Sequence, residues 1–280
     1  LNLGALVDVG GTTQDIGVPP APSATPSTNP LFVQAEQGIP AAVPSRPSQF
    51  GQVLAPFTAE VFGTGIAQSH ADIGPLAILV QPDTSVIVSG GANRGALYRY
   101  TEFGGRALNP FVVFDQPVYD LAYDLDGRLW AATGGGQLLQ LDPETFAVLG
   151  SYGEGLTQAL AVDPSSGKIY VSSGDGIEIF DPLKLTFSHF SNTRVDDLAF
   201  APDGELWATT WPRRGDIVTF DAKGRAKAQI HLDSAVDSIV FGKAGTALAG
   251  LMFVSSHAPI GDPAGSSLVM VDLATLRRVE

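Results

Sequence analysis

The stretch VYDLAYDLDGRLWAAT, residues 118–133, decides the fold once it is set beside VDDLAFAPDGELWATT, residues 195–210. Each reads as a strand carrying small residues, an Asp-Gly turn, and a second strand with a large aromatic. Between them lies TQALAVDPSSGKIYVSS, residues 157–173, and after them VDSIVFGKAGTALAGL, residues 236–251. A looser copy, GPLAILVQPDTSVIVSG, occupies residues 74–90. Aligning the copies on Ala77, Ala122, Ala161, Ala199 and Val240 gives spacings of 45, 39, 38 and 41 residues. A β-rich period near 40 residues is the sequence signature of a propeller array.

A third alternating strand follows each copy and usually ends in Asp, as in QLLQLDP, IEIFDP, DIVTFD and SLVMVD. A fourth, such as AVLGSY or AKAQIHL, is polar enough for the outer edge of a blade. Ala122, Ala161 and Ala199 suit the crowding of strands around a central channel. Trp130, Tyr170 and Trp207 share one column on the second strand, where a ring fills the space between adjacent sheets. One such sheet alone would leave a wide apolar face in water, so the sheets must stack.

The pattern resembles the propeller group that includes the NHL, YVTN and two-component-regulator repeats, with LAYDLDGRLWAAT and LAFAPDGELWATT carrying most of the likeness. The resemblance implies an all-β fold, a β-propeller of four-stranded blades. Five blades are recognisable, near residues 72–115, 116–155, 156–193, 194–233 and 234–280, within a propeller region of residues 50–280. A compact small propeller and a truncated larger one both fit, and truncation fits better because each copy has its own fourth strand. FTAEVFGTGI, residues 57–66, is expected as an outer strand that helps to close the ring.

Ahead of the repeats, residues 19–49 are crowded with Pro, Ala, Ser and Thr and read as an extended, exposed connector. Residues 1–18 read as a short β-hairpin or the tail of a preceding module. Within them, LVDVGGTTQDIG resembles the first phosphate loop of the actin-like ATPase and sugar-kinase superfamily. That superfamily needs a second phosphate loop and an adenosine motif, for which the repeats leave no room. The hairpin is therefore expected not to bind nucleotide.

Composition narrows the function. The 280 residues are 44% hydrophobic, enough for a large packed core. A formal charge of −13 disfavours nucleic acid and anionic membranes as partners. Cysteine is absent, which removes disulfides, thiolate metal sites and cysteine catalysis. No apolar run reaches 18 residues, so membrane insertion is not expected. The low Lys and high Gly, Ser, Thr and Asp content suits an exported bacterial module, extracellular or periplasmic and joined to further domains in its parent chain.

Candidate site residues are acidic. Asp120, Asp196, Asp197 and Asp237, with Gln158, lie at or just before the first strand of their blades, where loops converge on one mouth of the channel. Converging carboxylates repel one another and either stay hydrated or gather a hard cation, for which Ca²⁺ is the expected ion. The insertion MFVSSHAPIGDPAGSS, residues 252–267, is expected as a recognition loop that adds His257 and Asp262 to the ligand-binding set. No catalytic residue is assigned. Gluconolactonase-type propellers hold a divalent metal through Glu, Asn and Asp, and after residue 70 this chain has only Asn93, Asn109 and Asn192, none in a first-strand column. The expected function is a non-catalytic binding or spacing module of a larger exported protein, such as a surface adhesin, with a protein or carbohydrate ligand. A metal-dependent lactonase-like hydrolase and a purely structural or sensory propeller are the alternatives.

Overall fold

The computed structural model describes residues 15–46, 50–69, 74–210, 215–257 and 266–280, with the backbone alone for His257. The chain is almost wholly β. Among the described residues, a single short helix, α1 (Pro30–Ala35), and a two-residue strand, β1 (Gly63–Thr64), precede the repeats.

Five four-stranded units follow in chain order. Blade I is β2 (Ile78–Val80), β3 (Val86–Ser89), β4 (Ala96–Tyr100) and, beyond the short β5 (Gly105–Arg106), β6 (Val112–Val113). Blade II is β7 (Val118–Tyr123), β8 (Leu129–Thr133), β9 (Gly136–Leu141) and the first part of β10 (Val148–Val162). The same β10 runs on, past a register shift, as the inner strand of blade III, joined by β11 (Ile169–Ser173), β12 (Gly176–Asp181) and β13 (Thr186–Ser191). Blade IV is β14 (Val195–Phe200), β15 (Leu206–Thr210), β16 (Asp216–Phe220) and β17 (Ala226–His231). Blade V is β18 (Ala235–Phe241), β19 (Leu251–His257), β20 (Ser266–Asp272) and β21 (Arg277–Val279). All pairings within the blades are antiparallel, and the inner strands meet in the order β2, β7, β10, β14, β18.

Backbone hydrogen bonds fix the register of the repeat. At the end of each inner strand one amide donates across the turn to the second strand: Gln81 to Ser85, Asp124 to Arg128, Asp163 to Lys168, Ala201 to Glu205 and Gly242 to Leu251. This places Leu79, not Ala77, in the column of Ala122, Ala161, Ala199 and Val240. The first copy is thus offset by two residues from the register that its small residues suggest, because its looser sequence carries another small residue, Ala77, ahead of the column. The Asp-Gly turns behave as expected, with φ of 79° at Gly127, where a side chain would be strained.

In the expected aromatic column Trp130 and Trp207 are buried between blades and Tyr170 is partly buried. Trp130 is fully enclosed, 5.9 Å from Tyr152 and 5.3 Å from Phe180 between ring centroids, and its indole N–H donates to Asp124 Oδ2 at 2.9 Å. Tyr170 meets Phe190 and Phe200 edge-on, and Trp207 meets Phe241. Ile87 and Phe253 complete the column in blades I and V. The Asp at the end of the third strand in blades II to V caps the next turn. Asp142, Asp181, Asp221 and Asp272 each accept backbone amides two or three residues ahead, such as Thr145 at 2.7 Å and Lys223 at 2.8 Å.

Three expectations change. Residues 19–46 are not simply an exposed connector. Asn29 caps α1 through Leu31 and Phe32, and Phe32 is completely buried against Leu251 and Met270 of blade V. Glu36 pairs with Arg277, and the Ser23 amide donates to Thr275 O. The proline-rich text hid a short amphipathic turn that Pro30 starts and tertiary burial sustains. Residues 57–66 do not form an outer strand of a closing blade. Only Gly63–Thr64 is strand, and it pairs in parallel with β5 beside blade I. Residues 252–257 belong to β19 and residues 266–267 to β20, so the expected recognition loop shrinks to residues 258–265, outside the described residues. Most of the expected hairpin of residues 1–18 also falls outside them.

Candidate functional site at the channel mouth

Four of the five inner strands carry a β-bulge at their entry, between Val118 and Asp120, Leu156 and Leu160, Val195 and Asp197, and Val236 and Ile239. A hydroxyl from the second strand steadies this point. Ser172 Oγ accepts the amide of Ala159 at 2.9 Å, Thr209 Oγ1 that of Asp197 at 3.0 Å, and Ser255 Oγ that of Ser238 at 3.0 Å. Ser89 does the same for Ala77 in blade I, at 2.8 Å. In blade II the position is Ala132. A bulge re-aims the side chains on either side of it. Here it divides the acids into two columns that the sequence had joined in one group.

Asp120 and Asp197 occupy the first column and clasp neighbouring blades. Asp120 Oδ1 accepts the amide of Leu121 at 2.8 Å, and Oδ2 that of Leu160 in blade III at 3.0 Å. Asp197 repeats the contact on Leu198 at 2.8 Å and on Ile239 in blade V at 2.9 Å. Both side chains keep a partly accessible surface, yet so much protein surrounds them that lost hydration dominates their chemistry. Burial, then repulsion from Asp197, pushes Asp120 up to about 8 against amide bonds that pull it down. Burial also raises Asp197, to about 6, with Asp237 adding repulsion.

Tyr119, Gln158, Asp196 and Asp237 occupy the second column, one from each of blades II to V. Gln158 Nε2 donates to Asp196 Oδ1 at 2.8 Å, joining blades III and IV. Asp196 is buried and Asp237 exposed, and the carbonyl of Asp237 accepts Thr209 Oγ1 at 2.7 Å. Tyr119 Oη accepts from Arg94 Nη1 at 2.8 Å, linking blades I and II. Gly134 lies so close to the Tyr119 ring that a Cβ there would come within 2.1 Å of it, which holds the ring against the turn after β8.

The structure thus brings Gln158 to Asp196, and sets Asp120, Asp197 and Asp237 within electrostatic reach in succession. Among the described residues, no group of three or more His, Cys, Asp or Glu side chains is arranged to hold a metal ion. The side chain of His257 and all of Asp262 lie outside the described residues. Sequence reasoning missed Arg94 and Tyr119. The signal was present: Tyr119 shares the column of Gln158, Asp196 and Asp237, and Arg94 sits in the glycine-rich turn SGGANRG.

No protein-family model matches the chain, and no curated protein matches it. Solved structures do. The extracellular domain of a chain described as a hybrid two-component system from B. thetaiotaomicron is similar at a TM-score of 0.53 and 9% identity, over 77% of this chain and 28% of that one. A gluconolactonase from Xanthomonas campestris is similar at 0.51 and 16%, over 63% of this chain and 67% of that one. A chain of the mitotic checkpoint complex is similar at 0.52 and 17%, over 76% of this chain and 66% of that one. The chain therefore spans little more than a quarter of the first of these and about two-thirds of the others. At such identities the likeness concerns architecture alone. The fold of this chain is a β-propeller.

Proposed function

We propose that the protein is a non-catalytic binding module whose ligand site is the channel mouth built from Arg94, Tyr119, Gln158, Asp196 and Asp237. The observation that carries this reading is the separation of the two columns. Asp120 and Asp197 are committed to blade-to-blade clasps, whereas four successive blades each place one hydrogen-bonding side chain in the column beside them. Rigid strands hold these groups, as recognition of a polar ligand requires. The ligand on this reading is a protein or carbohydrate surface, met within a larger exported bacterial chain such as an adhesin. The likeness to an extracellular domain is in keeping with export.

A glycan and peptide array probed with the parent and with Tyr119→Ala, Gln158→Ala and Asp237→Ala is the test. A ligand retained by the parent and lost by all three variants supports the site, and one retained by all three refutes it. Calcium belongs to the same reading. A rise in melting temperature with millimolar Ca²⁺, absent when Asp196→Asn and Asp237→Asn are combined, is its test. The lactonase-like alternative draws on the shared fold with gluconolactonase. Metal-dependent acid release from glucono-δ-lactone would favour it.

A further inference from the structure

The repeat makes each blade joint comparable with every other, and one joint is unlike the rest. Four internal joints place an inner-strand residue against the preceding blade: Leu121, Leu160, Leu198 and Ile239 are 4, 4, 3 and 5% exposed. The same column in blade I is Ile78, which is 65% exposed, and Val80 two residues on is 64% exposed. The opposite face behaves alike. On the third strand Leu138, Ile177 and Ile217 face the following blade and are fully buried, whereas their counterpart in blade V, Leu268, is 48% exposed. Val240, in the column of Leu79 and Ala161, is 58% exposed. Four aliphatic side chains on the two end faces of the array are thus left in water among the described residues; the counterparts of Ile78 and Leu268 are buried where blades meet, and those of Val80 and Val240 are buried or half-buried.

The outer parts of those two faces are covered. Along the free face of blade V, α1 covers Leu251 and Met270, and Phe57 stacks edge-on against Phe253 with centroids 6.4 Å apart. Five residues later Phe62 packs on Tyr100 of blade I at 5.9 Å, Tyr100 Oη donates to Thr64 O, and Gly63–Thr64 pairs with β5. Five residues span at most about 18 Å. Stacked sheets lie about 10 Å apart, so one interposed layer sets blades V and I about 20 Å apart, a span that the five residues cover together with the Phe57 and Phe62 rings at their ends. α1, Phe57 and residues 62–64 lie in the outer half of that layer, and among the described residues its inner half is bare.

We propose that the bare inner half is a docking slot for a β-hairpin of the repeat's own inner type, a partner segment with an uncharged aliphatic face on each side that meets Val240 and Leu268 with one and Ile78 and Val80 with the other. The four internal joints define what fits. A Leu or Ile column packs on the small or aliphatic column of the blade before it, and the acids that cross two of the joints, Asp120 and Asp197, bond the backbone amides of Leu160 and Ile239 and not the aliphatic side chains. A second copy of the whole chain fits poorly, because residues 57–62 bridge the outside of the slot and a blade docked there would carry its neighbours into blade V. The slot lies outside the mouth proposed as the ligand site and stands independently of it.

The test uses the full 280-residue chain and, as probe, a fluorescein-labelled synthetic peptide of residues 195–210, the inner hairpin of blade IV. Saturable binding by fluorescence anisotropy is expected, with affinity falling at least tenfold in Ile78→Asp and in Val240→Asp. A peptide carrying Leu198→Asp should not bind. Thermal melts of both variants should match the parent, since neither side chain is buried, which separates loss of binding from loss of fold. Absence of peptide binding, or binding that both variants retain, overturns the proposal. So does a dimer by light scattering that Ile78→Asp dissociates, which would make a second copy the occupant.

Discussion

Asp197 reaches from blade IV to the amide of Ile239 in blade V, 2.9 Å away, and Asp120 makes the equivalent contact from blade II to Leu160 in blade III at 3.0 Å. Each carboxylate also accepts the amide of the residue after it. The inner strands are thereby tied at two of the joints by the same device, using acids that burial makes reluctant to ionise.

These acids set the direction of the pH response. Each is raised in the folded state from an ordinary value of 3.8, Asp120 to about 8 and Asp197 to about 6. The folded state therefore holds protons that the unfolded chain releases, and stability falls as pH rises between about 4 and 8. His189, raised chiefly by its bond to Glu178, acts in the same direction above its ordinary value. The melting temperature should be higher at pH 5 than at pH 8.5, with the slope reduced in Asp120→Asn. A melting temperature that climbs across this interval would contradict the assignment.

Trp130 is fully buried and hydrogen-bonded to Asp124. Its replacement by Ala should cost about 3–5 kcal/mol in a denaturant melt, the usual range for a large buried aromatic. Trp130→Phe should cost less, keeping the stacking on Phe180 while leaving one acceptor of Asp124 to Arg128. Equal losses would show that the indole N–H, not ring volume, holds the joint.

Asn29 joins residues 15–46 to the body of the fold. Its Oδ1 caps α1, and its Nδ2 donates to Ala249 O at 3.1 Å. Asn29→Ala should lower stability by about 0.5–2 kcal/mol, as lost N-caps do. Hydrogen exchange should quicken at the Phe32 and Glu36 amides before it does in blades II to IV.

Nucleotide binding by the N-terminal sequence is not expected, since a single phosphate-loop-like stretch without a second lobe cannot enclose ATP. Calorimetry with ATP and Mg²⁺ should show no heat of binding. Micromolar binding abolished by Asp8→Ala would overturn this.

The sequence by itself determined the blade. Its 38- to 41-residue spacing over the later copies, the Asp-Gly turns and the Trp130, Tyr170 and Trp207 column follow from alternation and turn chemistry, which are local and repeat. It also marked the acids at the entries of the inner strands, because an acid at a strand entry is visible in one dimension. What the tertiary structure decided was which acid does what. Asp196 and Asp197 are neighbours in sequence, yet a one-residue bulge sends Asp197 to the next blade's backbone and Asp196 to Gln158, and side chains one residue apart face opposite ways. The same limit applies to Phe32 and Ile78. Neither the burial of the first within a proline-rich stretch nor the exposure of the second within an apolar strand has a local signature, since each depends on what a distant segment covers.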